Sequence, residues 1–203
     1  MLNNLQTSLF EESPIADISA ISGLTYIPNF ITQAEETALL EKIDNQPWLL
    51  DLKRRVQHYG YKYDYKVRNI TSEHKLGALP SFLQNYCDRL EQDKIFTKAP
   101  DQVIINEYQP GQGISGHIDV LHFDNTVASL SLGSPCIMDF THSQTNQKIP
   151  ILLEPRSLVV LKGEARYIWK HGIANRKTDK YNGNVFNRSR RVSCTFRNVK
   201  FNA

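Results

Sequence analysis

At 203 residues, 40% apolar and 22% charged, the chain is long enough for one domain with a substantial core, and its composition excludes a disordered or fibrous protein. Three widely spaced cysteines, Cys87, Cys136 and Cys194, argue against a disulfide framework or zinc knuckle and fit a reducing setting, cytoplasmic or nuclear. The net charge of +3 hides two basic segments, with six basic and two acidic residues over 51–70 and six basic and one acidic over 176–191, on an otherwise acidic body. That distribution suggests a polyanion partner, against the plainer reading of two solvated loops.

No run approaches the roughly 20 apolar residues of a membrane span, so no membrane partner is expected, and the chain is read as a monomer. The first residues carry no positive start and no long apolar run, so no signal peptide is expected. Residues 1–23 read as a loose leader. Leu24 to Phe30 reads as a short strand ending near Pro28. Thr32 and Glu35 form a capping-box pattern, and the helix behind them places Leu39, Leu40 and Ile43 on one stripe before Pro47. Trp48 either packs or caps.

The first basic segment follows. Tyr59, Tyr61, Tyr63 and Tyr65 alternate at period two and are expected to share one face of a ribbon, with Lys62 and Lys66 on the other. Flat rings interleaved with cations suit base stacking and phosphate contact, though an aromatic strand on a core fits the tyrosines alone as well. A second helix begins near Leu79-Pro80 and buries Phe82, Leu83, Tyr86 and Leu90. After Pro100 the pattern turns to short β-rich runs at Gln102–Tyr108, Thr126–Leu132, Cys136–Thr141, Lys148–Leu153, Ser157–Leu161, Arg166–Trp169 and Arg191–Val199, punctuated by turns such as Asn182-Gly183. Helices followed by strands imply an α+β chain whose second half is a sandwich or jelly roll.

The chemistry concentrates in 106–119. His117 and Asp119 are one residue apart, so an extended backbone points both to one face, where an imidazole and a carboxylate can converge on one ion. A second histidine from a distant strand would complete a 2-His-1-carboxylate set, which leaves positions open on Fe(II). His58, His74, His122, His142 and His171 are available. His171 is preferred because it follows a strand and precedes Gly172; His122 and His142 remain rivals. The last strand alternates strictly, with Arg191, Ser193, Thr195 and Arg197 on one face and Val192, Cys194 and Phe196 on the other. If the apolar face meets the core, two guanidiniums and two hydroxyls suit a carboxylate ligand; otherwise this is an edge strand facing solvent.

Taken together, Asn106-x-Tyr108-x-Pro110-Gly111, His117-x-Asp119, His171 and Arg191-x-Ser193-x-Thr195-x-Arg197 resemble the AlkB family of Fe(II)- and 2-oxoglutarate-dependent dioxygenases. Within it, 54–61, 129–134, 138–140 and 163–173 are most similar to the tRNA wobble-uridine hydroxylase branch. Larger members of that branch also carry an RNA-binding module and a methyltransferase domain; neither fits in 203 residues, so the substrate does not transfer with the resemblance.

The resemblance implies a double-stranded β-helix (jelly roll) with N-terminal supporting helices and a substrate lid. Residues 24–203 would form one domain, with helices and nucleotide-recognition lid in 24–99 and the jelly-roll core in 100–203. It implies iron at His117, Asp119 and His171, with Asn106, Tyr108, Arg191, Ser193 and Arg197 around 2-oxoglutarate, and dioxygen as oxidant. Arg54, Arg55, His58, Tyr59 and Tyr61 are the candidates for contact with a flipped or single-stranded base. Ser193 and His122 depart from the founding bacterial member, which has Asn and an acidic residue there; both changes bear on substrate choice. The implied reaction is demethylation or hydroxylation of modified DNA or RNA, tRNA included. The alternatives are a protein hydroxylase or demethylase of the same fold and an inactive nucleic-acid reader.

Overall fold

Helix α1 (Gln33–Asp44) starts where the capping box predicts: Thr32 Oγ1 accepts from the Glu35 N–H at 3.2 Å, and Glu35 Oε2 accepts from the Thr32 N–H at 2.6 Å. It buries Leu39 and Ile43, while Leu40 stays partly buried. Helix α2 (Ser81–Gln92) starts behind Pro80 and buries Leu83, Cys87 and Leu90; Phe82 and Tyr86 lie at its margin. Trp48 packs, with the Arg55 guanidinium 4.7 Å above its ring. The computed structural model describes residues 18–50, 52–67 and 69–201.

Among the described residues, twelve strands make three antiparallel sheets. The larger sheet runs β1-β8-β5-β12-β3-β2, where β1 is Leu24–Ile27, β2 Arg55–Tyr59, β3 Gln102–Tyr108, β5 Val127–Gly133, β8 Leu158–Leu161 and β12 Arg191–Arg197. The smaller runs β4-β9-β6-β7, where β4 is Ile114–His117, β6 Cys136–His142, β7 Lys148–Leu153 and β9 Trp169–Ile173. The larger sheet has apolar side chains on both faces. Val103, Ile105, Leu130, Leu132, Val192 and Phe196 meet α1 and α2 on its outer face. Val127, Val159 and Leu161 meet Met138, Phe140, Ile151 and Trp169 of the smaller sheet on its inner face. This is the expected jelly roll with helices backing one sheet.

Strand β12 lies between β3 and β5, in the middle of the larger sheet, so the reading of an edge strand facing water fails. Its polar face points between the sheets: Arg191, Ser193 and Arg197 are buried and Thr195 is partly buried. The Arg166–Trp169 strand is also corrected. Gly163–Tyr167 forms a short helix, α3, and the strand starts at Trp169. Gly163 takes a positive φ of 49°, which turns the backbone out of β8.

The tyrosine ribbon does not form as expected. Strand β2 ends at Tyr59, because Gly60 (φ +75°) packs so tightly that an added Cβ would lie 1.9 Å from the Asp101 carbonyl oxygen. Beyond it the chain turns away from the sheet. The Asn182-Gly183 turn joins two strands that periodicity did not reveal, β10 (Thr178–Tyr181) and β11 (Asn184–Asn187); both turn residues have positive φ, as a two-residue hairpin turn requires. Of the 1–23 leader, residues 1–17 lie outside the described residues, while Ile18 and Ile21 pack in the core between the sheets.

The hairpin is fastened by Asp179, which is 1% exposed. It accepts from Arg188 through both oxygens at 2.5 and 2.8 Å, from Arg176 at 2.6 Å and from the Ile137 N–H at 3.2 Å. Burial alone would push its carboxyl up, but these donors outweigh it and hold the group below the usual carboxylate range. A depressed native pKa contributes stability that is present above the unfolded value of about 4 and is lost as pH falls through the native value. Asp179→Ala is expected to cost about 3–5 kcal/mol at pH 7, since Arg188 would be buried unpaired, and the gap to the parent should narrow in acid. Denaturant titrations at pH 7 and at pH about 3 check both statements.

Candidate active site

Strands β4 and β9 pair with His117 directly opposite His171, and opposed residues of neighbouring strands share a face. Their rings are 4.5 Å apart between centroids. The strands can approach closely because Gly172 has no side chain: a Cβ there would lie 2.7 Å from the Gly116 nitrogen. Asp119 follows β4 and turns its carboxylate back, leaving Oδ2 3.4 Å from His171 Nε2. One ligand atom from each of His117, Asp119 and His171 lies within 4.8 Å of the others, and among the described residues no other such group of potential metal ligands occurs. Neither rival, His122 or His142, belongs to this group, nor does His74. His142 Nδ1 accepts from the Gln144 and Thr145 N–H groups, and its ring meets Trp169 edge-on; His74 Nδ1 accepts from the Thr71 N–H.

The loop that presents Asp119 is held by a residue the sequence reading passed over. Arg166, 1% exposed, donates to the backbone carbonyls of Asp119 (2.8 Å), Val120 (2.7 Å), Phe123 (3.2 Å) and Asp124 (3.3 Å). One guanidinium thus satisfies four carbonyls that no strand pairs, and so fixes where Asp119 can stand. Nothing in periodicity marks Arg166; its value depends on a loop more than 40 residues away.

Protonation suits metal binding. Burial would raise the Asp119 carboxyl, but Arg197, whose Nη2 donates to Oδ1 at 2.6 Å, and behind it Arg166, hold it well below the usual carboxylate range. Burial pushes the His171 imidazole down to about 4 against the pull of Asp119, so it is neutral near pH 7 with a lone pair to give. His117 Nδ1 sits 2.9 Å from the Ser115 carbonyl, a contact that needs the proton on Nδ1 and leaves Nε2 as the donor atom. Asp119 Oδ2 is buried with no hydrogen-bond partner. The neutral imidazole of His171, the free Nε2 of His117 and an ionised, unsatisfied carboxylate fit a divalent first-row metal with open positions.

Beside these residues, between the sheets, lies a cavity of about 60 Å³ lined by Asn106, Tyr108, Val127, Ser129, Met138, Leu161, Arg191, Ser193, Thr195 and Arg197, among others. Several polar atoms in its lining lack partners. Arg191 donates through Nη2 to Ser131 at 2.9 Å, but its Nε and Nη1 are buried and unpaired, as is Arg197 Nε. With Asp119 Oδ2 and His171 Nδ1 these make five of the eight unpaired buried side-chain atoms among the described residues, so unmet polarity gathers at this site. Unmet N–H donors on a buried guanidinium suit a carboxylate ligand.

The five proposed substrate contacts separate by strand parity. On β2, Val56 opposes Asn106 and His58 opposes Ile104, which places His58 on the inner face. Arg54, just ahead of the strand, donates to Asn106 Oδ1 at 2.8 Å and lies 5.7 Å from the Tyr108 ring, while Arg191 lies 5.4 Å from the same ring. Arg55 and Tyr59 point to the outer face. Arg55 grips Glu107 with two bonds of 2.6 Å, and Glu107 also takes Arg190. Tyr59 packs edge-on to Phe82 and donates to Gln57. Tyr61 leaves the sheet and packs with Phe123, Ile70 and Val199.

Residues 51–197 match the model of the 2OG-Fe(II) oxygenase superfamily. An Arabidopsis thaliana protein named "Alkylated DNA repair protein ALKBH8 homolog" is 40% identical over 204 residues, covering 89% of this chain and 59% of its own. A Macaca fascicularis protein named "tRNA (carboxymethyluridine(34)-5-O)-methyltransferase ALKBH8" is 40% identical over 166 residues, covering 77% of this chain and 25% of its own. The chain therefore spans well under two thirds of these relatives. In fold it is similar to OsALKBH1, with a TM-score of 0.63 at 16% identity, covering 86% of this chain and 97% of that one. The family match and the His117–Asp119–His171 cluster together imply Fe(II), 2-oxoglutarate and dioxygen. The chain belongs to the 2OG-Fe(II) oxygenase superfamily and, within it, to the AlkB family near the ALKBH8 branch: it is a 2-oxoglutarate-dependent dioxygenase.

Proposed function

We propose that this dioxygenase oxidises alkylated or otherwise modified bases in nucleic acid, with RNA, including tRNA, and single-stranded DNA as candidate substrates. His117, Asp119 and His171 hold the iron; Arg191 takes the distal carboxylate of 2-oxoglutarate, with Asn106, Tyr108 and Ser193 around it. Arg197 holds Asp119 in place and borders the cosubstrate. The observation that carries the reading is the juxtaposition of the three ligand atoms with the unpaired Nε and Nη1 of Arg191 in one buried pocket. The nucleic-acid part is supported by the names of the ALKBH8 relatives and by Arg54 and His58 on the inner face.

When bound, Fe(II) and 2-oxoglutarate supply the oxidising power to place one atom of dioxygen on a substrate C–H bond. The protein's part is electrostatic and steric. Arg197 keeps Asp119 ionised, and burial keeps His171 neutral. Arg166 pins the loop, and Val127, Met138 and Leu161 give the cosubstrate pocket apolar walls. An N-methyl carbon so hydroxylated would leave as formaldehyde, whereas a carbon-bound substituent would keep its hydroxyl.

The test is to supply the protein with Fe(II), 2-oxoglutarate and a panel of methylated DNA, RNA and tRNA, and to follow succinate together with the nucleosides by mass spectrometry. Succinate formation coupled to loss of a modified nucleoside is expected; succinate formation that none of these nucleic acids stimulates would reject the nucleic-acid reading. His171→Ala should abolish turnover while leaving nucleic-acid affinity intact; unchanged turnover would remove His171 from the metal site. Arg191→Met should raise the KM for 2-oxoglutarate at least about tenfold, because a charge-assisted pair worth roughly 1.5–3 kcal/mol is lost. Arg166→Met should weaken Mn(II) binding, measured by calorimetry, by about 10–100-fold and also lower Tm, because four loop carbonyls lose their donor.

A further inference from the structure

We propose that the hydroxyl of Tyr65 is a substrate-contacting hydrogen-bond donor, which meets an acceptor on the edge of the bound nucleobase, a carbonyl oxygen or a ring nitrogen. The inference rests on the nucleic-acid reading above and names a residue outside both the five candidate substrate contacts and the pocket lining.

The backbone brings Tyr65 back to the site after the sheet has ended. Gly60 turns the chain out of β2, and a tight turn closes between Asp64 and Asn69, where Asp64 Oδ1 accepts from the N–H groups of Lys66 (2.8 Å) and Val67 (3.2 Å). Tyr65 sits in that turn. Its ring meets His58, the inner-face residue of β2, edge-on at 5.5 Å, and meets Tyr63 at 5.0 Å. Tyr63 lies against Phe123 at 6.0 Å, and the Arg197 guanidinium lies 4.6 Å from that same ring. Tyr65 is therefore bracketed by one residue that faces the pocket and another that touches the ring beneath Arg197.

Its hydroxyl oxygen is buried and has no hydrogen-bond partner. Leaving a buried hydroxyl unmet costs about 1–3 kcal/mol, and folded chains rarely tolerate it without a reason. At Asp119 Oδ2 and at Arg191 the same condition marks atoms that await a ligand, and the Tyr65 hydroxyl is another unpaired atom in that neighbourhood. Its charged neighbours, Arg54 and Arg197, can only donate, and no acceptor takes the phenol's own proton. Burial pushes the phenol up to about 12, so the proton stays on oxygen throughout the neutral range. The ring is only partly buried, which puts the residue at the entrance and not at the floor.

Tyr65→Phe removes the oxygen and little else. Three quantities are read on parent and variant: Tm without ligands, Kd for 2-oxoglutarate in the presence of Mn(II), and Kd for a fluorescein-labelled single-stranded 12-nucleotide RNA of mixed sequence by anisotropy. The expected pattern is an unchanged or raised Tm, an unchanged 2-oxoglutarate Kd, and an RNA Kd weakened about five- to tenfold, the loss of one hydrogen bond. A Tm lower by several degrees would mean the hydroxyl has a structural partner and would overturn the proposal. A weakened 2-oxoglutarate Kd would assign it to the cosubstrate instead, and an RNA Kd equal to that of the parent would remove it from the substrate. Should the parent itself bind no RNA, the nucleic-acid reading fails first, visibly and without the variant, and this inference falls with it.

Discussion

The structure depends on one buried contact, the pairing of Arg197 with Asp119 at 2.6 Å. Arg197 belongs to the larger sheet, and Asp119 belongs to the loop that follows β4 of the smaller one. A carboxylate buried between two sheets would normally take up a proton, because its charge is poorly solvated there. The guanidinium reverses that preference and keeps the charge on Asp119. The same contact ties the two sheets together and leaves Oδ2 turned towards the two histidines.

This arrangement explains why a central strand carries a polar face. Strand β12 has neighbours on both sides, and its outer face, Val192, Cys194 and Phe196, is buried against the helices. Its inner face would be the natural place for a second apolar row. It bears Arg191 and Arg197 instead, and part of their hydrogen-bonding capacity goes unmet within the chain. Such a layer is unfavourable for folding by itself and becomes favourable when an anion and a cation enter. Stability is recovered in other places, through two full apolar cores and through ion-pair clusters away from the pocket. Arg55, Arg190, Glu107 and Asp44 form one such cluster, and Asp179 with Arg176 and Arg188 forms another.

Those clusters also alter the meaning of the two basic segments. Four of their arginines, Arg55, Arg176, Arg188 and Arg190, are ion-paired with buried or half-buried carboxylates, and Arg191 is inside the pocket. Much of the positive charge counted along the chain is therefore structural. The charge that bears on the site comes from fewer residues, chiefly Arg54 near the entrance and Arg191 and Arg197 within it.

Alternation along a strand is a local property, so the sequence alone determined the two faces of β12, the apolar run of β5 and β8, and the shared face of the His-x-Asp pair. The capping box at Thr32 and the strands at Gln102–Tyr108 and Lys148–Leu153 were legible for the same reason. His171 is preferred from its place beside Gly172, and the cluster includes it, but what brings it to His117, a register between strands 54 positions apart, was not legible. Nor could spacing sort Arg54 and His58 from Arg55 and Tyr59, since parity has meaning only once the strand's neighbour and its inner side are known. Arg166 and Tyr65 lay further out of reach. What each one does comes from atoms it meets in space, four carbonyls for Arg166 and no acceptor at all for Tyr65, and only the tertiary structure brings those atoms together or leaves them apart.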